Sequence, residues 1–419
     1  MKILYDGEIY SIFQRGGVVR YFDNLISRLP ATDQPMLLGN DQPLELPKHP
    51  NLKQYFYANR WVPAGLKFVR KSLDRRYCRR TFNSINPEII HPTYFQNVAR
   101  GRFDKRKVPL VLTVYDMIHE RFADEMDRRG NHSLKKREAV NRADHIICIS
   151  ETTRSDLIER FNIPLEKTSV TMLAADDHFL AAFNQVADPQ ASGDPASGVQ
   201  AGGVQAGGVQ AGGVQAGDLA NASIVAANGL ANRLAIPSRP YFVFVGRRDS
   251  YKNFDRLLDG FVILKQRNHG KTLDFQLAIV GDDFSPPENE KIASRQLTDD
   301  VVHLGTVSDQ ALVQIYRQSL GFIFPTLWEG FGLPLLEGIA AGTCVLASDI
   351  PIFNEIAAGG FQPFDPYQAE SIADAVTRIV EHSDIRQQIM QRGQTSLARY
   401  SWKTTVQETI EIYRNMIGK

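Results

Sequence analysis

The chain lacks several features that define whole classes of protein. No apolar run reaches the roughly 18 residues that a membrane-spanning helix needs. Its three cysteines, Cys78, Cys148 and Cys344, are far apart, which fits reduced cytosolic thiols and excludes a disulfide framework or a zinc site. An Asp-x-Asp pair occurs nowhere. The opening residues MKILYDGEIY hold one basic and two acidic residues, so we predict a first strand there rather than a signal peptide.

What remains is a globular composition with an uneven distribution of charge. Hydrophobic residues make up 43% and charged residues 23% of 419 residues, which is enough for two domains. Residues 1–180 carry 29 Lys/Arg against 22 Asp/Glu, whereas the rest carries 19 against 25. The basic excess is concentrated in residues 59–80, where apolar residues recur at helical spacing, and at 100–107. A basic amphipathic helix suits an anionic membrane surface, and an ordinary surface helix is the alternative. No nucleic-acid module accompanies it, so nucleic acid is not an expected partner.

Strand-like runs alternate with helical stretches in two halves of the chain. They lie at 3–5, 36–38, 88–90, 110–114, 145–149 and 169–173, and again at 241–245, 275–280, 301–304, 320–324 and 344–347. This alternation predicts an α/β protein with two doubly wound, Rossmann-like domains. We assign residues 1–180 to the first domain and 240–399 to the second. Residues 400–419 are predicted to form a closing helix that returns to the first domain, or a terminal helix packed on its own domain.

A low-complexity segment separates the two halves. Residues 181–239 are rich in glycine and alanine and contain GVQAG four times without a break, at 198–217. Because the repeat lacks large apolar residues that would offset the entropy of ordering, we predict a disordered insertion.

Residues 328–337, WEGFGLPLLE, form the most informative segment. Glu329 and Glu337 stand eight apart, with Gly330, Gly332 and Pro334 between them. A buried-strand run precedes them, and a helix is predicted over 335–341 with Pro334 at its first position. Free N–H groups and the helix dipole make such a helix start an anion site. The carboxylates on either side can accept hydrogen bonds from hydroxyls that flank a bound phosphate. A ligand with phosphate in the middle and hydroxyls on either side is a nucleotide sugar.

Two basic residues follow the strand-like run 241–246. Arg247 and Lys252 stand five apart, at the turn before a helix predicted from Lys252 onward. There, a fork-shaped guanidinium and a point-charge ammonium can neutralise a diphosphate. Taken alone, the same pair is an ordinary feature of a solvated loop.

Together these segments resemble the glutamate-x7-glutamate signature and the basic pair of the family-4 retaining glycosyltransferases, which have the GT-B fold of two domains facing across a cleft. The resemblance implies that Glu329 contacts hydroxyls of the donor sugar and that Glu337 holds the ribose. It also implies a diphosphate bound by Arg247, Lys252 and the backbone of Gly330, Phe331, Gly332 and Leu333. The family's interdomain linker is short, so the insertion is a departure from it.

The first half carries weaker motifs. Gly16 and Gly17 follow the first strand and open a helix, and in the family such a pair lets the backbone approach the donor phosphate. A plain tight turn is the alternative. Residues 112–120 resemble the family's strand end that usually carries His-Asp, with Asp116 kept and Tyr115 in place of the histidine. Two interpretations of His119 stay open: it takes the place of that histidine, or it only caps a helix.

Acceptor contacts are expected near the ends of the first-domain strands. The candidates are His91, Tyr94, Tyr115 and His119.

The missing Asp-x-Asp pair removes the usual metal–diphosphate ligand of the other large glycosyltransferase fold. We therefore expect a reaction without metal or cofactor, in which side-chain cations and the helix start stabilise the leaving diphosphate. The residues expected to act in catalysis are Glu329, Arg247, Lys252 and Asp116.

The resemblance implies a retaining hexosyltransferase of surface polysaccharide or lipopolysaccharide synthesis. The expected sugar is mannose and the expected donor is GDP-mannose. The expected acceptor is a lipid-linked or oligosaccharide glycan. The expected location is the cytoplasm, peripheral to the inner face of the plasma membrane. Two alternatives stay open: a nucleotide-sugar epimerase of the same fold, and a non-catalytic nucleotide-sugar-binding protein.

Overall fold

The computed structural model describes residues 1–13, 16–39, 45–56, 67–103, 107–187, 236–270 and 273–418. The GVQAG repeats lie outside these residues, as do residues 59–66 of the predicted basic helix and Lys105 and Arg106 of the second basic cluster.

The first domain is built on seven described strands, all paired in parallel. They are β1 (Lys2–Tyr5), β2 (Gln34–Gly39), β3 (Lys53–Phe56), β4 (Ile89–Ile90), β5 (Val111–Val114), β6 (His145–Cys148) and β7 (Thr168–Val170). They form a sheet in the order β3-β2-β1-β4 and another in the order β5-β6-β7. A parallel bridge between Ile90 and Leu110 joins the two. The combined order reverses beside β1, as in doubly wound folds.

The second domain contains one six-stranded parallel sheet. Its strands are β8 (Tyr241–Val245), β9 (Gln276–Val280), β10 (Val301–Gly305), β11 (Gly321–Phe324), β12 (Val345–Ser348) and β13 (Gln362–Phe364). Their order, β10-β9-β8-β11-β12-β13, is that of a Rossmann fold. Ligands bind such sheets beyond the carboxyl ends of the strands, near the point where the order reverses.

Helices connect the strands, as parallel pairing requires. In the first domain they are α1 (Glu8–Ile12), α2 (Gly17–Ser27), α3 (Lys67–Ile85), α4 (Gln96–Ala99), α5 (Ile118–Arg121), α6 (Ala123–Met126), α7 (Asn131–Arg142), α8 (Glu151–Phe161) and α9 (Asp177–Ala187). In the second they are α10 (Phe254–Arg267), α11 (Pro286–Ser294), α12 (Asp309–Gln318), α13 (Leu333–Ala341), α14 (Pro351–Ala357), α15 (Ala369–Glu381) and α16 (Ser383–Leu397). The chain ends with α17 (Trp402–Ile417). Among the described residues, no helix is both long and apolar enough to span a bilayer.

One apolar core runs through both domains. It joins Tyr5 and Phe22 of the first domain to Phe331 and Leu335 of the second. The last helix, α17, lies on the first domain, where the hydroxyl of Tyr413 is within hydrogen-bonding distance of Tyr5 and of His91. The two domains are therefore held together by packing as well as by the connecting chain.

The predicted two-domain α/β fold is confirmed, but several element boundaries differ from the predictions. Strands β3 and β13 were not predicted, because KQYF is polar and only half-buried and QPF is short and contains proline. Helix α13 begins at Leu333, so Pro334 is its second residue and not its first. Lys252 lies in a 3-10 turn, and α10 begins two residues later. Helix α9 extends to Ala187 and so takes in the first seven residues of the segment assigned to the insertion.

Candidate active site

The glutamate motif forms the loop from β11 to α13. Gly332 has φ +89°, a left-handed conformation that favours glycine, and it caps α13. A Cβ atom at Gly330 would lie 1.7 Å from the carbonyl oxygen of Tyr115 in the first domain. Both glycines are thus required, one by backbone conformation and one by the close approach of the other domain. The loop presents the start of α13 to the interdomain cleft.

Glu329 and Lys252 form a buried ion pair within the second domain. Lys252 Nζ lies 2.5 Å from Glu329 Oε1, and their side chains are only 16% and 11% exposed. Burial alone would lower the pKa of Lys252, but the adjacent Glu329 carboxylate outweighs it and raises the pKa. The Tyr251 carbonyl accepts hydrogen bonds from Leu327 N and Thr326 Oγ1, at 2.7 and 3.2 Å, and so joins the two loops.

Arg247, five residues before Lys252, projects into solvent. Its side chain is 69% exposed and makes a 3.2 Å ion pair with Asp249. It lines a cleft of about 420 Å³ beyond the carboxyl ends of β8 and β9. Its neighbour Arg248 is instead buried against Glu288, at 2.5 Å. Arg247 can therefore reorient toward a ligand. Arg248 instead joins the loop after β8 to the loop after β9, where it bonds to the carbonyl oxygens of Asp282 and Asp283.

Glu337 is buried and paired across the domain boundary. Arg20 of α2 places Nη1 2.6 Å from Glu337 Oε1 and Nη2 2.7 Å from Asp309, with Asp176 at 3.5 Å. Burial raises the pKa of Glu337 to about 7, although Arg20 opposes that rise. Arg20 thus stabilises three carboxylates, one of which is the residue expected at the ribose.

The first domain also holds the motif loop through its backbone. The carbonyl oxygen of Gly330 accepts hydrogen bonds from Ser150 Oγ at 2.7 Å and from Thr153 Oγ1 at 3.0 Å. Glu355 of α14 in turn accepts from the N–H groups that start α8, at 2.8 and 2.9 Å. The guanidinium of Arg121 lies 3.4 Å from the ring centroid of Trp328. The arrangement of the domains therefore governs the shape of the motif loop.

Gly17 of the first domain faces the same loop. A Cβ atom at Gly17 would lie 3.7 Å from a methyl group of Leu333, so α2 and α13 meet with their N-termini close together. Asp116 lies beside Gly330, since a Cβ atom built on Gly330 would be 3.0 Å from the Cβ of Asp116. The structure thus brings Gly17 and Asp116 to the residues of the glutamate motif.

Three of the four predicted acceptor residues line a second cavity next to Asp116. Tyr94, Tyr115 and His119 surround it, together with His132 and Lys136. His91 does not line this cavity, which corrects the prediction that it contacts the acceptor. It is fully buried, its Nδ1 is bonded to Tyr413 and its Nε2 lies 2.8 Å from Thr113 Oγ1. Both ring nitrogens are occupied within the core, so His91 fastens α17 to the first domain.

Several site residues carry no local sequence signal. Arg20 is the last basic residue of RGGVVRY, and nothing near it in sequence indicates its carboxylate partners. Ser150 and Thr153 resemble an ordinary helix start, which Ser150 also provides by accepting from Thr153 N. His132 lies 16 residues beyond Asp116, on another helix. Among the described residues, no group of three or more His, Cys, Asp or Glu is placed to hold a metal ion.

Two family models match the chain, one in each domain. Residues 15–174 match the model described as Glycosyltransferase Family 4. Residues 231–396 match the model described as Glycosyl transferases group 1. The two matches thus take in both halves of the site.

Curated relatives include mannosyltransferases. O-antigen chain mannosyltransferase B of Escherichia coli is 20% identical over 281 residues, which are 66% of this chain and 62% of the relative. Phosphatidyl-myo-inositol mannosyltransferase of Mycobacterium tuberculosis is 29% identical over 184 residues, which are 42% and 47% of the two chains. The matched region therefore spans about half to three fifths of the length of these relatives.

Solved structures share the whole fold at low identity. Sucrose-phosphate synthase from Thermosynechococcus elongatus has a TM-score of 0.70 at 15% identity and covers 100% of this chain and 96% of its own. HepE from Anabaena, solved in complex with UDP and glucose, has a TM-score of 0.69 at 15% identity, with 98% and 99% covered. These likenesses extend over both domains and the cleft between them.

Proposed function

Because the chain belongs to the family-4 glycosyltransferases, which have the GT-B fold, we propose that it transfers a hexose from a nucleotide-diphosphate sugar to a glycan acceptor. The observation that carries this proposal is the geometry around the start of α13. Glu329 and Glu337 lie on either side of that helix start, and each is already paired with a cation, Lys252 or Arg20. A diphosphate placed there would meet N–H donors and side-chain cations, with a carboxylate on each side for hydroxyls.

Mannose is the first choice of sugar and GDP-mannose of donor. Support comes from the names of two relatives, an O-antigen chain mannosyltransferase and a phosphatidyl-myo-inositol mannosyltransferase. The same names support a glycan or lipid-linked acceptor in surface polysaccharide or glycolipid synthesis. The UDP in the Anabaena structure makes UDP-glucose the donor to compare first.

Transfer is proposed to proceed with retention and without a metal ion. Arg247 and Lys252 supply the positive charge that the leaving diphosphate needs, and the N–H groups that start α13 add fixed dipoles. Activity should therefore survive EDTA, and a strict Mg²⁺ or Mn²⁺ requirement in the chemical step would contradict this part. The anomeric configuration of the product, read by NMR, tests retention.

The deciding experiment measures nucleotide diphosphate release from a panel of nucleotide sugars. A transferase releases it, slowly by hydrolysis when no acceptor is present. An epimerase that does not hydrolyse its substrate would instead convert the sugar, and a binding protein would do neither. Thermal shifts with GDP, UDP and ADP identify the base. Absence of both release and nucleotide-induced stabilisation would overturn the proposal.

Peripheral binding to an anionic membrane is proposed from helix α3. Arg76, Arg79 and Arg80 on this helix are exposed. Each basic residue close to such a surface contributes about 1 kcal/mol, so reversing all three to Glu should release the protein from phosphatidylserine vesicles in sedimentation. Reversal of three exposed arginines elsewhere, Arg256, Arg392 and Arg414, serves as the control. Equal vesicle binding by both variants would make α3 an ordinary solvated helix.

A further inference from the structure

The cavity beside Asp116 is small and has a mixed lining. It encloses about 170 Å³ at the carboxyl ends of β4 and β5, well below the roughly 300–1,000 Å³ of pockets for drug-sized ligands. Phe13, Val18 and Phe95 are apolar lining residues, whereas Asp116 and a pair of histidines are polar ones. A single ring with apolar carbons and several hydroxyls matches this size and this mixed lining.

The histidine pair is the unusual feature of this cavity. The rings of His119 and His132 stack with centroids 3.5 Å apart and planes inclined by 15°. His132 is held in place by its backbone N–H, which donates to Asp127 at 3.0 Å, and by Nε2, which lies 3.1 Å from the hydroxyl of Tyr94. Nδ1 of each histidine is buried without a hydrogen-bond partner in the described structure. Buried polar atoms left unpaired are uncommon, and each calls for an explanation such as a functional role or a bound water.

The charges around the pair favour an uncharged ligand. Burial lowers the pKa of His132 to about 3, and burial likewise lowers that of His119, so both rings are neutral at pH 7. Lys136 also lines the cavity, but its ammonium is paired with Glu120 at 2.7 Å and donates to the Asp116 carbonyl at 3.0 Å. The Asp116 carboxylate is 31% exposed and lies 3.9 Å from that ammonium. A phosphate here would therefore lose its hydration, lie near a carboxylate and find no unpaired cation among the described lining residues.

We propose that this cavity holds one uncharged sugar ring, the terminal unit of the acceptor glycan, and that the stacked pair of His119 and His132 hydrogen-bonds its hydroxyls. Neutral imidazole offers one donor and one acceptor, which suits a hydroxyl. The apolar lining residues cover the carbon face of the ring. The cavity adjoins Gly330 through Asp116, so the bound ring lies next to the donor loop. This inference rests on the proposed function and excludes acceptors whose reacting unit bears a phosphate.

The test compares neutral and phosphorylated acceptor probes on the full-length protein. The nucleotide sugar with the fastest diphosphate release is held saturating, and methyl α-D-mannopyranoside, methyl α-D-glucopyranoside, mannose 6-phosphate and glucose 6-phosphate are titrated separately. We expect a neutral glycoside to accelerate release saturably and neither phosphate to do so. Acceleration by a phosphate alone, or by no neutral glycoside, would overturn the inference.

Variants locate the effect in the cavity. His132→Ala should raise KM for the active glycoside about tenfold, the effect of losing a neutral hydrogen bond together with its stacking partner. Tyr94→Phe retains the aromatic ring, removes the hydroxyl that holds His132, and should raise the same KM less. If His132→Ala fails to fold, Tyr94→Phe decides the question. His382→Ala, at an exposed histidine of the other domain, is the matched control.

The outcomes separate this inference from the proposed function. An unchanged KM in a folded His132→Ala variant, or a KM raised equally in His382→Ala, would remove the histidine pair from the acceptor site. Normal diphosphate release with no response to glycosides overturns only the acceptor assignment. Absence of release from every nucleotide sugar overturns the function itself.

Discussion

The proposed donor side and the proposed acceptor side of the cleft are built in different ways. On the donor side, Glu329 and Glu337 come from one ten-residue segment, and Lys252 and Arg247 come from a single second loop. On the acceptor side, the cavity takes Tyr94 from the end of β4, Asp116 from the end of β5, His119 from α5 and His132 from α7. A compact motif fixes the first site, whereas the folding of four separate segments creates the second.

This difference reflects what each side must recognise. A diphosphate can be bound by features that a short strand–turn–helix segment always provides, namely free N–H groups and a helix dipole. A sugar acceptor offers only hydroxyls and a carbon face, so its site depends on side chains converging at suitable distances. The two sides are also coupled, because Ser150, Thr153 and Arg20 of the first domain contact the donor loop or its carboxylate.

The largest expected effect separates the two motif carboxylates. Glu329→Gln should lower turnover on the order of a hundredfold with little change in diphosphate affinity, because its expected partners are on the sugar. Glu337→Gln should weaken binding of the free nucleotide diphosphate as well, because its expected partner is the ribose. Calorimetric titration with the diphosphate, beside turnover assays, checks this. Identical binding losses in the two variants would contradict the division of roles.

The two cations should differ, because one is buried and the other exposed. Lys252→Ala removes a charge-assisted bond worth roughly 1.5–3 kcal/mol and leaves Glu329 without its partner. Arg247→Ala should fall at the lower end of that range, and its effect should shrink more as salt is added, since exposed charges are screened. Diphosphate affinity at two ionic strengths measures both effects. Arg256→Ala is an exposed control in the same domain, and wild-type affinity in both test variants would make the loop assignment wrong.

Substitution of Arg20 tests the coupling between the two domains, through the pH dependence of diphosphate affinity. With the pKa of Glu337 at about 7, acidification through neutrality protonates the carboxylate, so diphosphate affinity should fall as the pH drops below 7. Arg20→Met removes the group that lowers this pKa, while Asp176 and Asp309 remain to raise it. The fall in affinity should then begin at a higher pH than in the wild type.

A matched comparison for Arg20 is Arg28→Met, which removes an arginine that follows the same helix and pairs with Asp177. Its affinity–pH profile should coincide with that of the wild type. Superimposable profiles for Arg20→Met and wild type would show that Arg20 does not act on Glu337 during nucleotide binding.

The smallest effect concerns the hydroxyls that hold the donor loop. Ser150→Ala and Thr153→Val each remove one hydrogen bond to the Gly330 carbonyl, so each should lower turnover by a few-fold, equivalent to about 1 kcal/mol. The double variant leaves that oxygen with neither bond and should lose more than the sum. Thr395→Val, whose hydroxyl bonds only within its own helix, is the control. Additive losses would mean that the two hydroxyls do not act on a shared acceptor.

The sequence predicted the site best where its chemistry is local. Residues 321–341 indicated a strand, a glycine turn and a helix, and all three are present, with the helix beginning at Leu333 rather than at Pro334. The first domain was predicted less well. His91 ends a strand as expected, but its ring is buried under α17, because a residue more than 300 positions away supplies its hydrogen-bond partner.

By itself, the sequence determined the alternating α/β architecture and the strand–turn–helix form of the glutamate motif. Apolar runs, glycine placement and the spacing of two glutamates act through neighbouring residues, whose geometry the local backbone sets. Only the tertiary structure decided that Arg20 pairs with Glu337, that Gly330 is held by Ser150 and Thr153, and that His119 stacks on His132. Those contacts join segments that are distant in sequence, and they exist only once helix packing has brought the segments together.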